Sequence, residues 1–375
     1  MDQILSRFSE VVNESYERLN KWKKESGKMV IGCFPMYIPE EIIHAAGILP
    51  ITLLGSAETI SLADKYLYSY ACGLSRENLD IALKGELDFL DGIVFSDICD
   101  VVRFLPDIWN THKSFSFHHN LLISGKINSP SSRKYIVTRI ARFRSAIEKF
   151  IGREIQDREL RQSIDIYNRN RTLLNRLYQA RRINPALFKA NDMVTIINAG
   201  MLMPKEEHNS WLEDLLTQVE EAVQPANNKV KLILSGSLCE PPKIEILNLV
   251  NEMGATVVDD DLYVGSRYFT TLIDETLPPI EALADKFIKD IPCPTKFHHP
   301  NEWTDYLVNM AGQTGAGGIV ILMLRYCEVH GFDYPFLKQG LAEAGVPHLL
   351  IETEQTPALQ QIRTRLQAFI ETITN

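Results

Sequence analysis

Short apolar runs separated by helix-length stretches recur along this chain, and that alternation limits its fold more than anything else. Met29 to Gly32, Leu49 to Leu54 and Gly92 to Phe95 read as strands in the first third, and the alternation continues to Leu122. Val230 to Leu234, Thr256 to Val258, Gly318 to Leu324 and His348 to Ile351 read as strands in the last. Pro39-Glu40-Glu41 opens a helix between the first two runs, and Arg76 to about Lys84 predicts another. Buried strands joined by helices pair in parallel and need helices on both faces of the sheet. Ile4 to Lys28 carries apolar residues at helical spacing and predicts one amphipathic helix. From Ser131 to about Gln224 long helices replace the alternation. The expected fold is therefore α/β, two Rossmann-like units with parallel sheets joined by a helical segment. The expected divisions are 1–128, 129–226 and 227–375.

At 375 residues, 45% of them hydrophobic and 23% charged, the chain can bury two or three substantial cores. Its net charge of −9 speaks against general nucleic-acid binding. The charge is uneven: Ser131 to Ala190 holds 15 Arg and Lys against 5 Asp and Glu. Such arginines can hold phosphates bidentately, dock an acidic partner, or simply form a solvated helix face. No apolar run reaches the roughly 18 residues of a membrane helix, and the amino terminus lacks a basic-then-apolar signal pattern. Six scattered cysteines do not make a disulfide framework, so a reducing cytoplasm is expected.

Three of those cysteines stand where open α/β sheets place ligands. Cys99 follows the run Gly92 to Phe95, Cys327 follows Gly318 to Leu324, and Cys72 opens the helical stretch starting at Gly73. One reading makes Cys72, Cys99 and Cys327 thiolate ligands of a single iron–sulfur cluster. The other makes them unrelated small hydrophobes, and without a compact CxxC pair the spacing leaves both open. Cys239 follows another strand, in Cys239-Glu240-Pro241-Pro242, and is a candidate fourth ligand with Glu240 as a proton donor, although two prolines explain the loop structurally. His330, three residues past Cys327, is within reach of a hydrogen bond to a ligand sulfur. Cys33 and Cys293 are expected to be structural. Asp259-Asp260-Asp261 suggests metal or hydrogen-bond work, but a helix N-cap explains one acid and Arg267 another. His112, His118, His119, His298 and His299 are expected in loops, without the spacing of a zinc helix. Gly312 to Gly318 precedes its strand instead of following one, so it is not a phosphate loop.

Several segments together resemble a known family. Ile31 to Tyr37 with Ile43 to Pro50 resembles the amino-terminal signature of the 2-hydroxyacyl-CoA dehydratase and benzoyl-CoA reductase family. Ala71-Cys72-Gly73-Leu74-Ser75-Arg76, Ser96-Asp97-Ile98-Cys99-Asp100 and Arg325-Tyr326-Cys327-Glu328 look like its three cluster-ligand segments. The resemblance runs from about Lys21 to the end. It implies a [4Fe-4S] cluster on Cys72, Cys99 and Cys327, a related larger cluster-bearing subunit, an ATP-hydrolysing activator and ferredoxin as the upstream donor. One branch of the family makes a ketyl radical that expels a hydroxyl group; the other reduces the aromatic ring of benzoyl-CoA to a cyclic dienoyl-CoA. Ser96 to Arg103, Cys239 to Pro242, and Asp259 to Leu262 with Arg267-Tyr268 look more like the ring reductase. They imply the smaller subunit of an ATP-dependent benzoyl-CoA reductase, acting on an aromatic acyl-CoA. The alternatives are the small subunit of a 2-hydroxyacyl-CoA dehydratase and a non-catalytic electron-relay subunit. Tyr326-Cys327-Glu328-Val329 departs from the family's commoner Phe-Cys-Asp-Pro. No catalytic group follows from the resemblance; Glu240 and His330 are candidates by position.

Overall fold

A computed structural model describes residues 1–55, 59–221, 229–237, 239–297, 299, 301–354 and 357–374. Two amino-terminal helices, α1 (Asp2–Asn13) and α2 (Ser15–Ser26), replace the single helix expected, because the backbone leaves helical geometry at Glu14. Next come β1 (Val30–Phe34), α3 (Glu40–Ala45), β2 (Leu49–Thr52), α4 (Gly73–Leu83), β3 (Gly92–Ser96), α5 (Asp100–His112) and β4 (Phe117–Leu121). Four long helices follow: α6 (Pro130–Ile151), α7 (Asp157–Ile183), α8 (Ala190–Leu202) and α9 (Lys205–Glu221). The last third is β5 (Val230–Gly236), α10 (Ile244–Glu252), β6 (Ala255–Asp261), α11 (Ser266–Phe269), α12 (Pro279–Lys289), α13 (Glu302–Thr314), β7 (Gly318–Leu324), α14 (Glu328–Glu343), β8 (His348–Thr353) and α15 (Leu359–Thr374).

Both sheets are four-stranded and parallel, ordered β2-β1-β3-β4 and β6-β5-β7-β8. The two orders are the same, so each sheet changes winding direction between its two central strands. That point opens a crevice at the carboxyl ends of β1 and β3 in one sheet and of β5 and β7 in the other. The central strands β1, β3 and β7 are buried throughout, as their unbroken apolar runs demand.

Two expectations are corrected. His118 and His119 lie in β4, an edge strand whose Phe-His-His-Asn-Leu sequence lacks an apolar run, and His112 ends α5. His298 lies outside the described residues. The acids Asp259, Asp260 and Asp261 continue strand β6 instead of following it, and all three are buried. Asp259 pairs with Arg182, while Asp260 accepts from the backbone N–H of Ser266 at the start of α11 (2.8 Å). Asp261 meets Arg267 at 2.8 Å, as expected of that arginine, and accepts from Trp303 Nε1 (2.8 Å).

The basic helices are woven into this frame. α7 packs against α3, α9, α11, α12 and β6. Arg171 pairs with Glu41 on α3, Arg181 donates to the Val257 carbonyl on β6 (2.8 Å), and Arg169 and Arg176 each reach an acid on α9 (2.6 Å). Arg144 meets Glu148 and Asp157, and Arg153 meets Glu159. Much of the positive charge therefore neutralises the chain's own acids.

Candidate functional site

Each of the three predicted cysteines occupies the N-cap of a helix: Cys72 on α4, Cys99 on α5 and Cys327 on α14. Cys99 leaves the carboxyl end of β3 and Cys327 that of β7, equivalent places in the two sheets. The three thiols line one cavity, where the crevices of the two sheets meet. Phe34, Pro35 and Met36 reach it from β1, and Ser237 and Cys239 from β5. Cys33 and Cys293 are buried elsewhere, and all six cysteines are free. Among the described residues no group of three or more His, Cys, Asp or Glu is placed to hold a single metal ion.

The electrostatics follow from this packing. Burial pushes the thiols up, Cys99 and Cys327 to about 12, and the neighbouring thiols push those two in the same direction. Against burial, the backbone N–H three residues into each helix, at Ser75, Val102 and His330, favours the thiolate. Three helix amino termini also direct their partial positive charge at the cavity. Among the described residues its lining includes no Lys or Arg. The thiols therefore sit among oriented N–H groups, without a full positive charge to ionise them.

Polar neighbours are few and specific. Ser75 Oγ lies 3.3 Å from Cys72 Sγ, and His330 Nδ1 lies 3.4 Å from Cys327 Sγ. Glu328, in the first turn of α14, accepts from the backbone N–H of Asp100 at the start of α5 (3.1 Å), which ties the two sheets' site helices together. Ser75, Ser237 and Glu328 do not stand out in the sequence. Ser75 is within its reach, since the third residue of a helix is where an N-cap side chain points; the Glu328 contact spans 228 positions. Two non-glycine residues among those described have positive φ, Tyr37 and Tyr326. Tyr326 lines the cavity, and Tyr37 directly follows its lining residue Met36. Tyr70 and Tyr326, close in sequence to Cys72 and Cys327, Phe104 on α5, and Phe332 and Phe336 on α14 are exposed.

Glu240 is buried beside a second, larger cleft that is also lined by Glu77, Lys243 and Asn198. Among the described residues its Oε2 has no hydrogen-bond partner, and burial, reinforced by the charge of Glu77, raises its carboxyl to about 7. A third, small pocket borders Glu40, Glu41, Arg171 and Tyr268. There Tyr268 donates to Glu40 (2.8 Å) and Lys205 donates to Tyr268. No described helix is long and apolar enough to cross a membrane.

The fold and the cavity define a class: a two-sheet parallel α/β protein whose paired crevices close on a set of thiols. The family described as 2-hydroxyglutaryl-CoA dehydratase, D-component, matches residues 35–373, and the chain belongs to that family. It is 30% identical to the beta chain of the lactoyl-CoA dehydratase of Anaerotignum propionicum, over 99% of both chains. It is 28% identical to one of the benzoyl-CoA reductase subunits of Thauera aromatica, over 94% of this chain and 93% of that one. The (R)-phenyllactyl-CoA dehydratase beta subunit of Clostridium sporogenes is 27% identical over 99% of both.

Proposed function

We propose that this chain is the thiolate-bearing smaller subunit of a heteromeric complex that performs one-electron chemistry on acyl-CoA thioesters. The observation that carries the reading is the convergence of Cys72, Cys99 and Cys327, from three helix N-caps, on one cavity with no Lys or Arg among its described lining residues. A single ion bonds thiolates at about 2.3 Å, which draws its ligands to one point. Thiols that ring a cavity instead suit a multinuclear group, in which different irons take different cysteines. The missing positive charge points the same way, because a bound metal centre deprotonates the thiols it holds.

Cys72, Cys99 and Cys327 would hold a [4Fe-4S] cluster. When bound, such a cluster supplies single electrons at low potential. The chain's own residues do the rest: Ser75 and His330 orient two of the sulfurs, Glu328 fixes α14 against α5, and Phe34, Met36 and Leu324 keep the cavity apolar. The exposed aromatics on α5, on α14 and beside the cysteines suit a partner surface. That surface fits the larger related subunit, with an ATP-hydrolysing activator and ferredoxin upstream. Six free thiols suit a reducing cytoplasm.

Ring reduction of benzoyl-CoA is the reaction we favour, on the segment Cys239 to Pro242, whose cysteine lines the cavity, and the kinship to a benzoyl-CoA reductase. Dehydration of a 2-hydroxyacyl-CoA is the second reading, favoured by the dehydratase beta subunits among the relatives. The Asp259 to Asp261 segment no longer separates them, because its contacts are structural. The test is the complex purified anaerobically with its partner subunit and activator. About four irons attributable to this chain, lost on changing Cys72, Cys99 or Cys327 to Ala, support the site. Incubation with benzoyl-CoA and with lactoyl-CoA or phenyllactyl-CoA then separates the reactions, by formation of a dienoyl-CoA or of an enoyl-CoA. No iron in a folded anaerobic sample would overturn the proposal.

A further inference from the structure

The thiol cavity has a fourth cysteine that the three-ligand site leaves unused. Cys239 lines the same space as Cys72, Cys99 and Cys327. It leaves the carboxyl end of β5, the strand paired directly with β7, from which Cys327 emerges. Two features hold that end of β5 against β7. The Leu324 backbone N–H donates to Ser237 Oγ (2.7 Å), and the Ser237 backbone N–H donates to the Leu322 carbonyl (3.0 Å). Pro241 and Pro242 stiffen the chain immediately beyond. Among the described residues the Cys239 thiol makes no hydrogen bond, whereas Cys72, Cys293 and Cys327 each meet a Ser, Thr or His. Burial first, then the proximity of Cys327 and Cys293, pushes its thiol up. A thiol facing three others across an apolar cavity, with no polar partner of its own, is poorly explained as packing.

We infer that Cys239 is a fourth thiolate ligand at this site, so that the group bound there has a protein sulfur for every iron. The inference rests on the proposed three-thiol site and adds one statement to it: no iron is left open to substrate or to a small exogenous ligand. The chain's site then passes electrons, and bond-making on the acyl group takes place elsewhere in the complex.

The experiment is cysteine footprinting of the anaerobic complex. A brief pulse of iodoacetamide is followed by unfolding and a heavy-isotope reagent, and the light-to-heavy ratio is read for each cysteine peptide. Cys239 should react at least roughly tenfold more slowly before iron is stripped with a chelator than after, in step with Cys72, Cys99 and Cys327. Equal labelling of Cys239 in both states, with the other three shielded, overturns the inference and leaves the three-thiol site intact. Shielding of none, with no iron present, is the failure of the underlying site. Should Cys239 prove unreactive in both states, Cys239→Ala decides. A changed low-temperature EPR spectrum of the reduced form that responds to cyanide, where the unmodified complex does not, supports ligation. An unchanged spectrum and unchanged iron retention overturn it.

Discussion

The sulfur of Cys327 lies 3.4 Å from Nδ1 of His330, one turn further along α14. The ring is buried and set edge-on against Trp303, with centroids 5.5 Å apart, so its position is fixed. Burial first, and the charge of Arg267 second, pull the imidazole down to about 3, which keeps it neutral. A neutral ring that donates from Nδ1 favours the more negative state of the sulfur beside it. His330→Leu should therefore keep its iron and shift the midpoint potential of the bound group negative by roughly 50 mV, the equivalent of about one net hydrogen bond. A redox titration followed by EPR checks this; an unmoved potential would reduce His330 to a space-filling role.

Gly236 ends β5 with φ +132°, and a Cβ there would stand 1.8 Å from the Leu322 carbonyl oxygen on β7. The obstacle is backbone, so no rotamer relieves it. Gly236→Ala should lose more than about 3 kcal/mol of stability and displace Ser237 and Cys239 from the cavity. Gly27→Ala is the control, since Gly27 has φ +66° with nothing within 4 Å of its would-be Cβ. That change should cost only the left-handed strain, about 1–2 kcal/mol. Denaturant unfolding of both variants gives the comparison.

Legibility in the sequence depends on whether the cause of a feature is local. β7 is legible because seven consecutive residues, Gly318 to Leu324, are apolar or Gly and buried. β4 is not, because an edge strand need bury only part of itself and His118, His119 and Asn120 are merely half-buried. Asp259 to Asp261 resembles the end of a strand because three acids rarely belong in a core. Their partners Arg182, Tyr178 and Arg267 make burial tolerable, and two of these come from a helix about 80 positions earlier. At the site the same rule holds. Cys72, Cys99 and Cys327 announce themselves by following strands or opening helices. Cys239 is masked by two prolines that explain its loop equally well, and only the pairing of β5 with β7 brings it to the other thiols.

The Asp261–Arg267 pair tests whether β6 is held by charge. Both side chains are almost wholly buried, and Asp261 also accepts from Trp303 and Ser235. Arg267→Met leaves a buried carboxylate without its cation, which should cost about 3–5 kcal/mol. Removing both charges, as Arg267→Met with Asp261→Asn, should recover a large part of that loss. A double-mutant cycle read by thermal or denaturant unfolding measures the coupling. A double variant no better than the sum of the singles would mean that the pair does not account for the loss.

Glu240 sets a pH dependence whose sign can be worked out. Burial, then the charge of Glu77, raise its carboxyl to about 7 in the folded chain, against about 4.3 in an unfolded one. Between those values the native state binds more protons than the unfolded state, so this group's stabilisation is complete below about pH 4.3 and lost as pH rises to about 7. Above that, the native state carries a buried carboxylate whose Oε2 has no partner among the described residues. Glu240→Gln removes the titration while keeping the shape. The variant should be more stable than the unmodified chain at pH 8, and the denaturation midpoint should fall less between pH 5 and 7. Unfolding curves at half-unit pH steps show this directly. An unchanged slope in the variant would show that Glu240 does not carry this titration.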